Sequence, residues 1–480
     1  MSRKCLASGL LCTLMLASCS LAPTYKKPET SVPAKYKEAA GMWKKAVPSD
    51  RLPRGDWWTL YDDALLDDLV SKLDSANADL AAAVAHFDKA TAYAVEANSY
   101  LYPTVNAGAH VTRNKQSVNR AMRSPTSKAA NVYGDNAVGL VADYEVDLWG
   151  RVHNLAAAGE AGAQAAALDL ESIRLSLRAE LADSYLALRS LDAQTQLLKN
   201  QVLSYDKALT LTQNRFEGGI DSALDVSLAK SQLDTANAKL ADVTASRALF
   251  EHAIATLVGV PATSFSIKPA VLDMRLPEIP VGVPSSLLQR RPDIAAAERR
   301  MAEANYKIGI AKAAFYPTID LTAGGGYESM FQPALMTYPN LVWSVGPTAF
   351  LTIFDAGRRE AVVREAQASF DLAGAQYRAT VLLAFQEVED NLSQLNELAK
   401  ESVALRAAVS DTGRTLDLAM NRYKEGAVNY LEVVTAQTAA QQAQLDELNL
   451  RKRRLQASVN LIRSLGGGWS ADQMKGLTSK

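Results

Sequence analysis

Apolar residues recur at threes and fours over long stretches of this chain, as in Leu177, Leu181, Tyr185, Leu188, Leu191, Leu198, Val202, Tyr205, Leu209 and Phe216. That is coiled-coil spacing. The stretch 150–216 holds no proline and is rich in Ala, Leu, Gln, Glu and Arg, all good helix formers. A helix of that length would reach about 100 Å at 1.5 Å per residue. Gly218 and Gly219 interrupt the pattern, and a second helical run follows at 222–258. The same order returns later: 358–423 is proline-free, Gly426 breaks it, and 429–465 resumes. Shorter helical stretches are predicted over 63–100 and 293–315.

Between these helices the period changes to two. Val105, Ala107, Ala109 and Val111 alternate along one segment, and Val138, Leu140, Ala142, Tyr144, Val146 and Leu148 along a second. Ile319, Leu321, Ala323 and Tyr327 do so along a third, and Trp343, Val345, Ala349, Leu351 and Ile353 along a fourth. Small residues occupy both sides, so the pattern leaves open which side meets lipid. Alternation over ten or so residues is the signature of a transmembrane barrel strand. The polar stretch 113–136 reads as a loop. Four strands cannot close a barrel, since known bacterial barrels start at about eight and an open edge cannot sit in lipid. Two chains would give a barrel of eight strands filled by its own side chains, and three would give 12 and leave a lumen.

The two halves are copies. Gly150-Arg151 recurs as Gly357-Arg358, Asn214-Arg215-Phe216 as Asn421-Arg422-Tyr423, Gly219 as Gly426, Leu224-Asp225-Val226 as Leu431-Glu432-Val433 and Gly259 as Gly466, each 207 positions on. Tyr102-Pro103-Thr104-Val105 recurs as Tyr316-Pro317-Thr318-Ile319, 214 positions on, so the first copy carries seven extra residues in between. Extra residues collect in exposed loops, which places a loop in that interval. A period this long marks a duplicated domain rather than a solenoid. The first repeat spans 63–259, with strands at 102–114 and 136–148 and long helices at 150–217 and 222–258. The second spans 293–466, with strands at 317–329 and 341–354 and long helices at 357–424 and 429–465. Residues 19–62, 260–292 and 467–480 lie outside both.

Residues 1–18 combine Arg3-Lys4, a short apolar run and small residues before Cys19, which is a secretory signal too short to span a bilayer. Leu16-Ala17-Ser18-Cys19 resembles a bacterial lipobox, in which cleavage leaves Cys19 first and lipidated. Ser20 stands where an Asp would argue for retention at the inner membrane, so the outer membrane is expected. Cys5, Cys12 and Cys19 are the only cysteines, so the mature chain has no disulfide to rely on. Loss of the signal moves the formal charge from −1 to −3, and nothing points to a nucleic-acid partner. No further apolar run approaches 20 residues, so a membrane crossing would use β-strands.

Enzyme signatures are missing. His86, His110, His153 and His252 are scattered, and Gly324-Gly325-Gly326 lies inside a strand pattern rather than between a strand and a helix. No cofactor is expected beyond the covalent lipid on Cys19.

The order of landmarks resembles the TolC-type outer membrane factors, specifically the NodT-like efflux lipoproteins. The resemblance covers the mature chain and rests on Cys19, Gly55-Asp56-Trp57-Trp58, Tyr102-Pro103, Asp147-Leu148-Trp149-Gly150-Arg151, Ser222-Ala223-Leu224-Asp225-Val226, the run 286–294, Ile353-Phe354-Asp355-Ala356-Gly357-Arg358 and Leu465-Gly466-Gly467-Gly468-Trp469. It implies a mixed α and β membrane protein: a homotrimer whose 12-stranded outer membrane β-barrel continues into a periplasmic α-helical barrel. Segments 19–62, 260–292 and 467–480 would form an equatorial belt. Such channels dock a periplasmic adaptor protein joined to an inner-membrane pump of the resistance-nodulation-division or major facilitator class. They conduct small toxic compounds passively. An exit duct for type I protein secretion shares the fold, and a non-conducting lipoprotein scaffold is the reading from another class.

Carried over residue by residue, the resemblance puts the acidic pore ring of the periplasmic gate at Glu432 and Asp225, and a latch tyrosine at Tyr423. Three copies of both acids would repel one another around one axis and attract cations. Without the resemblance, both read as acids favouring a helix start, and Tyr423 as core. Relatives often carry a further acid where this chain has Thr435, and a latching Arg where it has Val428. Gly219 and Gly426 would mark the helix tips facing the adaptor. Arg290-Arg291-Pro292-Asp293 reads as a helix start, with Pro292 in the first turn.

Overall fold

The computed structural model describes residues 20–27, 33, 35–39, 56–119, 131–271, 275–277, 279 and 290–467. The signal and Cys19 lie outside the described residues, so the structure carries no account of the lipid. Nor does it describe Gly55, residues 286–289, or Gly468-Trp469.

The described chain runs α1 (Ala64–Ala76), α2 (Ala78–Ser99), β1 (Thr104–Lys115), β2 (Val132–Glu145), α3 (Arg151–Glu217), α4 (Ala223–Leu257), α5 (Pro292–Ala313), β3 (Thr318–Ser329), β4 (Leu341–Phe350), α6 (Arg358–Lys424) and α7 (Tyr430–Ser464). The helix expected over 63–100 is two helices. Asn77 breaks it: its Oδ1 accepts from Leu80 N at 2.8 Å to cap α2, while its Nδ2 donates to Leu257 O at 2.8 Å. A side chain serving both a cap and a distant carbonyl takes the place of a helical turn. One offset later stands Arg291, which donates to Ser464 O at 3.3 Å, so both repeats pin the end of the returning helix alike. Asp293 and Glu387 flank that guanidinium, which fixes Arg291 as a structural rivet.

Strand bounds also move. β1 and β2 extend into the stretch read as loop, because Lys115 pairs Val132 and Gln116 N still donates to Asn131 O at 2.8 Å. At its other end β2 stops at Glu145 rather than 148, as Leu148 N turns back to Val146 O at 2.9 Å and Trp149 stacks on Tyr316 at 4.6 Å. β4 stops at Phe350 rather than 354. The four strands form one antiparallel sheet in the order β1-β2-β3-β4. Gly326 lets two strands approach closely, since a Cβ there would meet Val138 O at 2.3 Å and Gly139 Cα at 2.6 Å.

Contacts divide the chain into two compact units, and each draws on both repeats. One comprises Met1–Glu29, Phe87–Ala166 and Ala297–Tyr377, and the other Thr30–His86, Ala167–Ala296 and Arg378–Lys480. Each compact unit therefore combines segments of both repeats. In the first unit the helices pack on small residues, Ala94 and Ala97 against Gly159, which allows close backbone approach. In the second, Leu66, Leu69, Leu73, Leu181, Tyr185, Leu186 and Leu188 are almost fully buried. No described helix is long and apolar enough to cross a membrane.

Candidate functional site

The first site is the sheet. Directly paired residues share a face, and the register gathers the apolar positions of all four strands together: Ala107 opposite Leu140, Leu140 opposite Gly325, and Gly325 opposite Trp343. Val105, Val345 and Tyr327 fall on that same face through their own pairings. The opposite face collects Asn106, His110, Thr112, Asp135, Asp143, Asp320, Thr322, Glu328, Ser344 and Thr348, with Val141, Val342 and Phe350 as apolar members of a mainly polar face. Two pairs of these touch across strands, His110 Nε2 with Asp135 Oδ1 at 3.3 Å and Thr322 Oγ1 donating to Asp143 Oδ1 at 3.0 Å. The apolar face is bare in the single chain, with Trp343 75% and Val105 64% exposed. Monomeric soluble proteins rarely expose an extended apolar patch, and one that is exposed marks a surface covered by a partner or by lipid.

The N-terminal residues are seated in the same unit. Ser20 Oγ donates to Asn154 Oδ1 at 2.9 Å, Asn305 Nδ2 donates to Pro23 O at 2.8 Å, and Tyr25 donates to Glu298 Oε1 at 2.9 Å. Ala22 fills a notch at Gly309, where a Cβ would lie 2.9 Å from it, and Gly150 makes similar room for Ser20. The residue after Cys19 is thus fixed at the turn between β2 and α3. The sequence reading missed this strap, and only the glycine at 309 hinted at it.

The second site is the pair of turns that follow α3 and α6. Gly219 has φ +74° and Gly426 φ +79°, a conformation that costs a side chain but not glycine. In each, the next amide closes on the helix, Ile220 N to Arg215 O and Ala427 N to Arg422 O, both at 2.8 Å. Ser222 caps α4 and forms a reciprocal box with Asp225, whose Oδ2 accepts from Ser222 N at 3.0 Å and from Ser222 Oγ at 2.6 Å. Asn429 caps α7, and exposed Glu432 pairs with Arg422 at 2.7 Å. Each acid is thus engaged inside its own repeat.

Tyr423 is buried, packed on Tyr430 at 5.3 Å with Ala208, Ala229 and Val433. Its hydroxyl donates to Asp221 Oδ2 and lies 3.3 Å from Thr212 Oγ1. Arg215 completes the group, its Nε 3.1 Å from Asp221 Oδ2 and its guanidinium 4.7 Å from the Tyr423 ring centre. Burial first, and then the bond to Asp221, push the phenol up to about 12, so it remains a donor at all physiological pH. Asp221 was not among the residues singled out from the sequence. Its repeat mate is Val428, which packs against the apolar cluster instead, so the two tips are held by different chemistry.

The comparisons with known proteins agree. The family model for the outer membrane efflux protein matches residues 69–260 and 283–467. The chain belongs to that family. It is 32% identical to the toluene efflux pump outer membrane protein TtgF of Pseudomonas putida over 473 residues, covering 98% of both chains. Outer membrane protein OprJ of Pseudomonas aeruginosa is 32% identical, over 96% of this chain and 95% of that one. The solved outer-membrane channel OprN superposes with a TM-score of 0.86 at 29% identity, over 94% of this chain and 100% of that one. As a family member, the protein is an outer membrane channel component of an efflux system, of mixed α and β fold with four strands per chain. Its family is one of efflux ducts, not of enzymes.

Proposed function

We propose that three copies of this chain close one barrel of 12 strands, four from each, and conduct small toxic compounds passively out of the cell. The observation that carries this is the division of the sheet into one apolar and one polar face with an unpaired edge on β1 and on β4. Edges cannot stay open in lipid, so the sheet requires further copies. The apolar face then meets lipid, and the polar face, with Asp135, Asp143, Asp320 and Glu328, lines a water-filled lumen that favours cations. Cys19 carries the lipid anchor, which suits a strap that holds Ser20 beside the end of β2.

The helix tips form the periplasmic gate. Asp221, Tyr423 and Arg215 hold the first turn to α6 in the resting state, and Glu432 with Asp225 supplies the charge near the axis. Gly219 and Gly426 present the turns to a periplasmic adaptor, which joins the channel to an inner-membrane pump of the resistance-nodulation-division or major facilitator class. Catalysis has no part in this, because the energy enters at the pump. Purified protein in planar bilayers tests the reading: stepwise cation-selective currents are expected, together with a mass of three chains in detergent. Assembled protein that stays non-conducting even when the Asp221–Tyr423 bond is removed would favour a scaffold.

A further inference from the structure

Charge is sorted between the two sides of the sheet. The side shared by Val105, Leu140, Tyr327 and Trp343 also holds Arg113 and Lys115, which continue the alternation of β1. Across the four strands these two cations are the only charged groups on that side, while all five acids, Asp135, Asp143, Glu145, Asp320 and Glu328, lie on the other. Both cations are exposed, and the matching side of another copy has no carboxylate to offer them.

Both stand at the end of β1 away from α2, beside the tips of the two hairpins. A tilted strand needs about 9–11 residues to cross the hydrocarbon of a bilayer. Counted from Val105, Arg113 is the ninth residue and Lys115 the eleventh, so they emerge where the hydrocarbon ends. A cation on the lipid side is costly at the midplane and nearly free of cost at the interface. Its long stem lies along apolar surface while the charged head reaches the polar layer.

The neighbouring tip supplies an apolar half. The chain carries no charged residue from Ser329 to Phe354, a stretch that includes the β3–β4 loop. In that loop Met330 is 52%, Phe331 71%, Met336 71% and Tyr338 87% exposed. The loop is held by its own hydrogen bonds, Asn340 Nδ2 donating to Ala334 O at 2.5 Å and Thr337 N to Leu335 O at 3.0 Å. Arg113 pairs with Gly134, and a Cβ on Gly134 would meet Met330 O at 2.5 Å, so cation and loop adjoin through a residue without a side chain.

We propose that this rim binds a phosphorylated lipid of the outer leaflet, with Arg113 and Lys115 on its phosphate and Met330, Phe331, Met336 and Tyr338 against its acyl chains. Two cations beside an ordered apolar loop match an anionic amphiphile, and the fork of an Arg fits phosphate oxygens. The site rests on the reading that the apolar side of the sheet meets lipid, and adds to it which lipid is held and where.

Purified, assembled protein mixed with diphosphorylated lipid A and read by native mass spectrometry tests this. Arg113→Ser/Lys115→Ser should weaken binding of that lipid at least about tenfold, because each cation near an anionic surface contributes about a factor of five. The unaltered protein should prefer it at least about tenfold to the same lipid stripped of both phosphates, and the preference should shrink with salt. Met336→Ser/Tyr338→Ser should weaken binding of both lipids. Arg113→Gln leaves one cation and should lose about fivefold, which keeps the test if the double variant fails to assemble. Equal binding by the unaltered protein and the cation variants, or equal binding of the two lipids, overturns the site. Displacement of the lipid by millimolar inorganic phosphate shows a plain anion site and overturns the lipid assignment. Reversal potentials in a salt gradient test the underlying reading separately: Arg113→Ser/Lys115→Ser should leave cation selectivity unchanged. A shift in selectivity would put the two cations in the lumen and sink the assignment of the apolar side to lipid as well.

Discussion

Replacing Tyr423 by Phe removes one hydroxyl and little else, because the ring keeps its contacts with Tyr430 and the Arg215 guanidinium. The lost bond ends on a carboxylate whose side chain is only 8% exposed. A hydrogen bond to a charged group contributes about 1.5–3 kcal/mol. Asp221 keeps Arg215 in the variant, with Nε at 3.2 and 3.1 Å from its two oxygens, so the lower end of that range applies. At about 1.4 kcal/mol per factor of ten, opening of one tip should become roughly tenfold easier. The effect compounds if three tips release together. Single-channel recordings at neutral pH give the fraction of time spent open for Tyr423→Phe, Asp221→Asn and the double variant. Each single change should raise it at least about tenfold; Asp221→Asn also weakens the pair with Arg215 and should exceed Tyr423→Phe, while the double variant should exceed Asp221→Asn by little, since both changes act on the same bond. An unchanged open fraction in Tyr423→Phe, or two effects that simply add, would refute the latch.

Arg422→Gln should release Glu432 and increase cation selectivity, whereas Glu432→Gln should reduce it; reversal potentials in a salt gradient read both, and as an exposed pair the two contribute under about 1 kcal/mol to stability. Among the described residues the buried Oδ1 of Asp183 has no hydrogen-bond partner, and burial pushes its carboxyl up to about 7 against the pull of Arg463. A folded pKa above the unfolded value means the fold is favoured most below about pH 4 and loses that stability as pH rises toward 7. Asp183→Asn should therefore raise the unfolding temperature at pH 8, by about 1–3 kcal/mol of relieved burial, and leave it unchanged at pH 4. Gly309→Leu should eject the N-terminal strap, since a Cβ at that position already meets Asn154 Nδ2 at 2.5 Å. Limited proteolysis followed by intact mass should show a new cut within residues 20–27 in that variant alone.

The long helices were legible because their spacing is local and extends over many turns. So was the alternation of the strands. The faces of the sheet were not, because small residues such as Ala137 and Gly139 share strands with Ala142 and Leu140, and only the register decides which of them stand together. The break at Asn77 was hidden for a related reason: its amide answers a carbonyl 180 residues away. At the tip, the acid at Asp225 was picked from the resemblance, yet the local text Ser222-Ala223-Leu224-Asp225 already spells a capping box. Asp221 escaped notice because its partner Tyr423 lies in the other repeat, 202 residues on, and its own repeat mate is an apolar residue.

The two long helices have 67 residues each and the two returning helices 35 each. Equality of this kind constrains what the chain can become. Deleting a single residue from one long helix would draw its tip back by about 1.5 Å and turn it through about 100° relative to its twin. The turn at Gly219 would then no longer be level with the turn at Gly426, and every side chain beyond the deletion would face a different neighbour. Length in this protein can change freely only where no twin has to follow, as in the β1–β2 connection, which holds the seven unmatched residues. An engineer wishing to lengthen the duct must insert the same number of residues four times, in whole turns, once in each long helix and once in each that returns.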